Sequence, residues 1–202
     1  MRILLSTVLA TACALAWLVP VHARVITTER TKTYPVGGKT GKEIARAIVA
    51  TKLRASNTAH AIAITETRLD IINLRTAIRG GRCVVTNVDV KLDLIYTLPR
   101  WSDRERASPA VRKAWDRFVG KVERHELKHG AISKQFARRL NAAIRRSTGK
   151  TANKCRNFGA RQAQKLEQLT QTYMRKHQQF DRREGRSGAR VRRLQQALIA
   201  AY

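Results

Sequence analysis

Acidic residues are scarce in this chain, which has 14 Asp and Glu against 41 Lys and Arg and a formal charge of +27 over 202 residues. Aromatic residues make up only 5%, and no stacking platform or nucleic-acid recognition motif accompanies the arginines, which argues against nucleic acid as the partner. An excess of positive charge favours anionic partners such as envelope polymers, lipid headgroups or acidic substrates. Charge alone identifies no function.

Long hydrophobic runs are absent after the first 23 residues, so we expect no transmembrane segment in the mature chain. Residues 3–19 form a short apolar stretch after Arg2, and Val21 and Ala23 provide small residues for cleavage. This pattern predicts a signal peptide over residues 1–23 and a periplasmic or secreted protein. Two alternatives fit less well. The stretch is a little short for an anchor of roughly 20 apolar residues, and a lipoprotein cleaved before Cys13 would have a large aliphatic residue in place of Ala10.

Cysteine is also rare, and Cys83 and Cys155 are the only two that remain after the predicted leader. An even pair in an oxidising compartment is more often a disulfide than a metal or redox site. We therefore predict a Cys83–Cys155 bond, the alternative being two free buried thiols.

The first half of the mature chain has the pattern of strands with one helix. Residues 25–36, 61–72 and 86–97 are predicted strands, the last with strict alternation of apolar and polar side chains, and residues 40–53 carry apolar side chains at helical spacing. Alternation with a period of two describes a sheet with one buried and one wet face.

The second half is nearly free of glycine and proline, and its apolar spacing becomes helical. Ser108 followed by Pro109 predicts a helix start, and a stripe at steps of three and four runs from Val111 to Leu140. After a loop at 147–155 comes a second long helix. The arginine-rich tract 182–193 is predicted to be a mobile loop, with a short amphipathic end at 191–198. The prediction is one α+β domain, residues 24–202 with a basic C-terminal tract 182–202, in which an N-terminal antiparallel sheet and one helix pack on two long C-terminal helices.

The pentapeptide His125-Glu126-Leu127-Lys128-His129 has the form H-E-x-x-H. Residues four apart on a helix lie about 40° apart around the axis, so both imidazoles can converge on one ion while the glutamate reaches its water. Zinc lowers the pKa of bound water towards about 7, and a neighbouring carboxylate takes the proton during attack on a carbonyl. We therefore predict a Zn²⁺ site with His125 and His129 as ligands and Glu126 as catalytic base.

Three residues on the later helix are candidates for the third metal ligand. His177 and Asp181 continue its apolar stripe four residues apart, and Glu184 is a weaker candidate one turn on. Either of the first two could bind the metal while the other orients an imidazole. Tyr173 and His60 are candidates to stabilise an oxyanion, although nothing local supports them.

The pattern resembles a bacterial family of predicted secreted zinc-dependent proteases, otherwise classed as a domain of unknown function, and the resemblance covers most of the mature chain. It implies a zincin-like helix and Asp181 as a matching acidic residue. Where the family has a histidine after this aspartate, this chain has Arg186. The motifs that carry the resemblance are Tyr34-Pro35-Val36-Gly37-Gly38, Cys83-Val84-Val85, Thr97-Leu98-Pro99-Arg100-Trp101, Trp115, the pentapeptide and Cys155.

The sequence supports two hypotheses about function, one for an enzyme and one for a binding protein. The first is a secreted zinc metallopeptidase that hydrolyses a peptide or protein substrate. The second is a basic cell-envelope binding protein that carries a structural or vestigial metal. The sequence specifies neither the bond that is cleaved nor the oligomeric state.

Overall fold

The computed structural model describes residues 22–51, 53, 61–150, 155, 158–186 and 189–202. The predicted leader lies outside these residues except for His22 and Ala23, which open the first strand. The elements in chain order are β1 (His22–Val36), α1 (Gly41–Ala50), β2 (Ile64–Arg79), β3 (Arg82–Trp101), a short 3₁₀ helix (Arg104–Arg106), α2 (Pro109–Arg145), β4 (Thr148–Lys150), α3 (Phe158–Arg186) and α4 (Ala189–Ile199).

The sheet has the strand order β1-β3-β2, with the short β4 also paired to β3. This confirms the α+β class, but the sheet is mixed rather than antiparallel, because β1 runs parallel to β3 while β2 and β4 run antiparallel to it. Parallel neighbours need a crossover connection, and here the chain passes through α1 and β2 before β3 returns beside β1. Alternation of side chains predicts a strand but contains no information about its direction.

Strands β2 and β3 form one long hairpin around Gly80 and Gly81. Both glycines have positive φ, 52° and 68°, which a two-residue turn between right-twisted strands favours. Strand β2 continues past the predicted end at residue 72 to Arg79, with an irregular register near Asn73, whose φ is 54°. On β3, the alternating Val88, Val90, Leu92 and Leu94 are fully buried, as the sequence predicts.

Helix α2 begins as predicted and runs for 37 residues. The Ser108 hydroxyl accepts a hydrogen bond from the Val111 amide, and Pro109 occupies the first turn. The helix packs on two separate cores. Its N-terminal half lies with α1 and α4 in the first, and its C-terminal half lies on β3 in the second, so the pentapeptide falls between them. Its buried core residues are Val111, Trp115, Phe118 and Val122 in the first core and Ala137, Leu140 and Ile144 in the second.

The basic tract is helical where it is described, so the prediction of a loop over residues 182–193 is wrong. Helix α3 continues through Arg186, and α4 begins at Ala189. Arginine is a good helix former, and the tract contains no proline to end a helix. The predicted amphipathic end is confirmed in α4, where Leu198 is fully buried in the core with α1.

The predicted disulfide between Cys83 and Cys155 is confirmed. It joins the start of β3 to the segment that precedes α3, across 72 residues of sequence. Among the described residues, no helix is both long enough and apolar enough to cross a membrane.

Candidate metal centre

The pentapeptide lies where α2 passes between the two cores. Glu126 is buried, with 6% of its surface exposed, while the side chains of His125 and His129 are 23% and 13% exposed. Both imidazoles are largely covered, and the glutamate between them in sequence is the most buried of the three. The glutamate contacts the sheet, and the two histidines contact α3.

Three ligand atoms converge between α2 and α3. The Nε2 atoms of His125 and His129 are 3.1 Å apart, and the Asp181 Oδ1 lies 3.4 Å from the first and 2.9 Å from the second. Ligands about 2.0–2.1 Å from a tetrahedral ion lie roughly 3.3 Å from one another, so these separations suit a small metal ion. This group could hold a metal ion, and Asp181 is the residue that completes it.

His177 lies behind His129, outside the convergent group. The two Nδ1 atoms are 2.6 Å apart, and the rings stack with centroids 4.9 Å apart. Burial, with a further contribution from the charge of His129, lowers the pKa of His177 to about 4, so His177 is neutral near pH 7. A neutral imidazole accepts at one nitrogen. His177 Nδ1 can therefore accept the Nδ1 proton of His129, which leaves His129 Nε2 free to bind a metal.

Glu184 takes a comparable place behind His125. Its Oε2 is 3.9 Å from His125 Nδ1 and is ion-paired with Lys121. The hydrogen bond from Lys121, more than any other contact, lowers the pKa of Glu184. Of the three candidates for the third ligand, Asp181 lies in the convergent group, His177 contacts one metal-facing imidazole, and Glu184 lies near the other.

Glu126 is positioned by a residue that the sequence analysis did not identify. The Thr65 hydroxyl on β2 lies 2.7 Å from Glu126 Oε2 and 3.0 Å from its backbone carbonyl. Thr65 pairs with Tyr96 across the β2–β3 ladder. Contacts of this kind depend on strand register, and no local sequence signal marks them.

The Tyr96 hydroxyl approaches α2 at Gly130, directly after His129. A Cβ at Gly130 would overlap this hydroxyl, so glycine permits the close contact between sheet and helix. The hydroxyl donates to Glu29 Oε2 at 3.0 Å. Burial is the main reason that the pKa of Tyr96 is raised to about 12, with the charges of Glu29 and Glu126 adding to it. Tyr96 therefore stays protonated and holds the sheet against α2 beside the site.

Ser133 links β2, α2 and α3 through hydroxyl contacts. It is fully buried, and its Oγ lies 2.9 Å from Thr67 Oγ1 and 3.0 Å from the Tyr173 hydroxyl. Tyr173, a candidate for oxyanion stabilisation, also stacks on Phe136. In this structure Tyr173 fixes α3 to α2. The other candidate, His60, lies outside the described residues.

The convergent group opens into a cleft of about 680 Å³ between β2, α2, α3 and the first turn of α4. Its apolar lining includes Ala63, Ile64, Val122, Met174 and Val191. Its polar lining includes the histidines and carboxylates of the site. Such a concave surface, with apolar sides and a few convergent polar groups, is typical of a ligand site.

These features define a candidate mononuclear metal site on an H-E-x-x-H helix, with Asp181 supplied by a second helix. The chain belongs to the family described as "Bacterial protein of unknown function (DUF922)", whose model matches residues 31–188. That span includes the pentapeptide, Asp181 and both cysteines of the disulfide. No curated protein and no solved structure matches the chain. The family description names no activity, so function has to be argued from the site.

Proposed function

We propose that this protein is an exported zinc metallopeptidase. The observation that carries the proposal is the convergence of His125, His129 and Asp181 in one cleft with the buried Glu126. Two imidazoles and a carboxylate are a common protein ligand set for a catalytic zinc, which keeps a fourth position open. When bound, zinc supplies a Lewis acid and lowers the pKa of a coordinated water to about 7.

The residues around the ligands support a site built for metal. His129 and His125 each have a further group at Nδ1, His177 and Glu184 respectively. Partners of this kind fix the tautomer and the orientation of a ligating imidazole.

Glu126 is the residue that we assign as general base. Thr65 engages Oε2, while Oε1 has no hydrogen-bond partner among the described residues and Glu126 lines the cleft. An ionised carboxylate held at one oxygen can accept a proton from water at the other, and can later deliver it to the leaving amine. Burial keeps this carboxylate in one orientation.

The position of β2 favours an extended peptide as substrate. Strand β2 is at one end of the strand order, and Ile64, Thr65 and Thr67 line the cleft. A free strand edge can bind a peptide through main-chain hydrogen bonds, with pockets for alternate side chains. The disulfide is typical of an oxidising compartment, in keeping with export.

The test compares refolded, oxidised residues 24–202 with their Glu126→Gln and Glu123→Gln variants. Glu123 is exposed one turn earlier on α2, so its variant removes the same charge away from the cleft. We expect about one zinc per chain in all three proteins. We expect hydrolysis of fluorescein-labelled casein to fall roughly 100- to 10,000-fold in Glu126→Gln only. Wild-type protein without stoichiometric zinc, or equal activity in both variants, would contradict the proposal.

A second candidate, binding to anionic envelope polymers, is favoured by a basic groove on the outer face of α2. Arg112, Lys113, Arg117 and Arg124 line a depression of about 570 Å³, and none of the four has an ion pair among the described residues. The one acidic residue there, Asp116, is already paired with Arg104.

This binding function predicts salt-sensitive association with an anionic polymer such as dextran sulfate, and this association should survive chelation. Association should fall more when Arg112, Arg117 and Arg124 become Gln than when three exposed arginines elsewhere, Arg75, Arg79 and Arg100, are changed. Equal losses from the two triple variants would mean that net charge alone causes the binding.

A further inference from the structure

The carboxylates that line the cleft are each engaged by a protein group. Glu126 accepts from Thr65, and Glu184 is paired with Lys121. Asp181 lies in the convergent group with the two histidines. A substrate cation entering the cleft would therefore compete with existing partners. All three carboxylates of the cleft therefore lie in the candidate metal site or next to its ligands.

Arg192 differs from these groups because it lines the same cleft with no partner in the part of the chain that the structure describes. It lies in the first turn of α4 and is exposed. Among the described residues, no carboxylate pairs with it and no acceptor takes its hydrogen bonds. A guanidinium presents several donors in a planar fork that matches a carboxylate or phosphate in a bidentate way.

Helix α4 is fixed to the body of the protein, so the backbone of Arg192 has a defined position beside the cleft. Leu198 is fully buried against α1, and the Gly41 amide donates to the Ala201 carbonyl at 3.3 Å. Val191, next to Arg192, also lines the cleft. The methylene stem of an arginine can lie along apolar side chains while its head group meets a polar ligand.

We infer that the cleft selects peptides with an acidic side chain, which Arg192 binds while the peptide backbone lies at the metal site. The inference rests on the proposed function for the peptide nature of the ligand. It adds a specificity-determining residue that neither the pentapeptide nor the family match identifies. The large positive charge of the chain would raise the local concentration of such substrates.

The test uses capped alanine octapeptides that carry one Glu, Gln or Lys, and the position of this residue is varied along the peptide. Binding is measured by calorimetry on zinc-loaded Glu126→Gln protein, which holds the peptide without cleaving it. We expect Glu peptides with the acidic residue at one preferred position to bind about tenfold or more tightly than their Gln counterparts, since a charge-assisted pair is lost. Adding Arg192→Gln should remove that preference, and Arg192→Glu should shift it to the Lys peptide.

Arg193→Gln is the matched control, because Arg193 is exposed on the same helix and does not line the cleft. It should keep the preference for Glu. Equal effects of Arg192→Gln and Arg193→Gln, no difference between Glu and Gln peptides, or no binding of any peptide would each overturn the inference. If zinc is absent but the Arg192-dependent preference remains, the proposed hydrolysis fails and the acidic-ligand site stands.

Discussion

The two helices that make the candidate metal site contribute to it in different ways. Helix α2 supplies His125, Glu126 and His129 from a segment between two cores, with both imidazoles largely covered. Helix α3 supplies Asp181, whose side chain is 49% exposed. Two ligands therefore come preformed on one rigid element, whereas the third depends on how α3 is held.

The attachments of the two helices differ accordingly. Near the site, α2 is fixed to the sheet by Thr65 and by Tyr96 at Gly130. Helix α3 is attached to α2 through Tyr173 and Glu184, and the disulfide lies just ahead of its first turn. Metal binding stabilises the state that presents all ligands. A bound ion should therefore reduce the motion of α3 more than that of α2.

The largest effect is expected from removing metal ligands. His129→Ala should abolish stoichiometric zinc binding. Asp181→Ala should weaken it more than about 100-fold, and His177→Ala, which removes only an orienting contact, by roughly 10- to 100-fold. Competition with a chromophoric chelator measures all three affinities. Wild-type affinity in Asp181→Ala would show that Asp181 is not a ligand.

The next largest effect, on both stability and zinc affinity, is expected from breaking the disulfide. Changing Cys83 and Cys155 together to Ser opens a loop of 72 residues, and loop entropy predicts a loss of roughly 4 kcal/mol in the free energy of unfolding. Urea denaturation measures the loss, with reduced wild-type protein as the control. Zinc affinity should also fall, because the segment before α3 is no longer tied to β3. Unchanged affinity would mean that α2 contacts alone position α3.

The attachment of α2 to the sheet can be tested at Gly130. Gly130→Ala places a methyl group against the Tyr96 hydroxyl and should reduce the free energy of unfolding by about 1–3 kcal/mol. Gly120→Ala is the control on the same helix, where only the end of Arg124 is near, at 3.4 Å. It should instead stabilise by about 0.5–1 kcal/mol. Thermal unfolding of both variants gives the comparison. Stability changes of the same sign in the two variants would contradict the close contact at Gly130.

The smallest effect is expected at Glu184, where α3 is ion-paired with α2. The Lys121 contact depresses the pKa of Glu184 in the folded protein. The stabilisation is therefore present above the unfolded pKa of about 4.3 and is lost as the pH falls through the folded value. Metal-free Glu184→Gln should be less stable than wild type by up to about 1 kcal/mol near pH 7. Denaturation across pH should show the difference shrinking in acid, and a constant difference would exclude the ion pair as its cause.

Much of α2 and its ligands could be predicted from sequence because the signals are local. Ser108 and Pro109 mark the helix start, and the spacing of His125 and His129 follows from helical geometry alone. The disulfide could be predicted because only two cysteines follow the predicted leader. Each prediction needs no knowledge of what packs against the segment.

The features that could not be predicted depend mostly on contacts between residues that are distant in sequence. Whether Asp181 or His177 completes the group depends on the rotation of α3, which Tyr173 and Ser133 help to fix. The role of Thr65 follows from the register of β2 on β3. The parallel direction of β1 depends on the path of the chain between strands, and the helical state of residues 182–186 has no strong local marker.

The burial of Leu198 has a consequence for how the molecule forms. The carbonyl of this residue occupies the space where a side chain at position 41 would lie, and the Ser108 hydroxyl donates to the carbonyl of Tyr202. The core around α1 therefore cannot close until α4 has been synthesised and has returned to an element made more than 150 residues earlier. Contacts of such long range slow folding, so a nascent chain should keep this apolar surface open until α4 has been made.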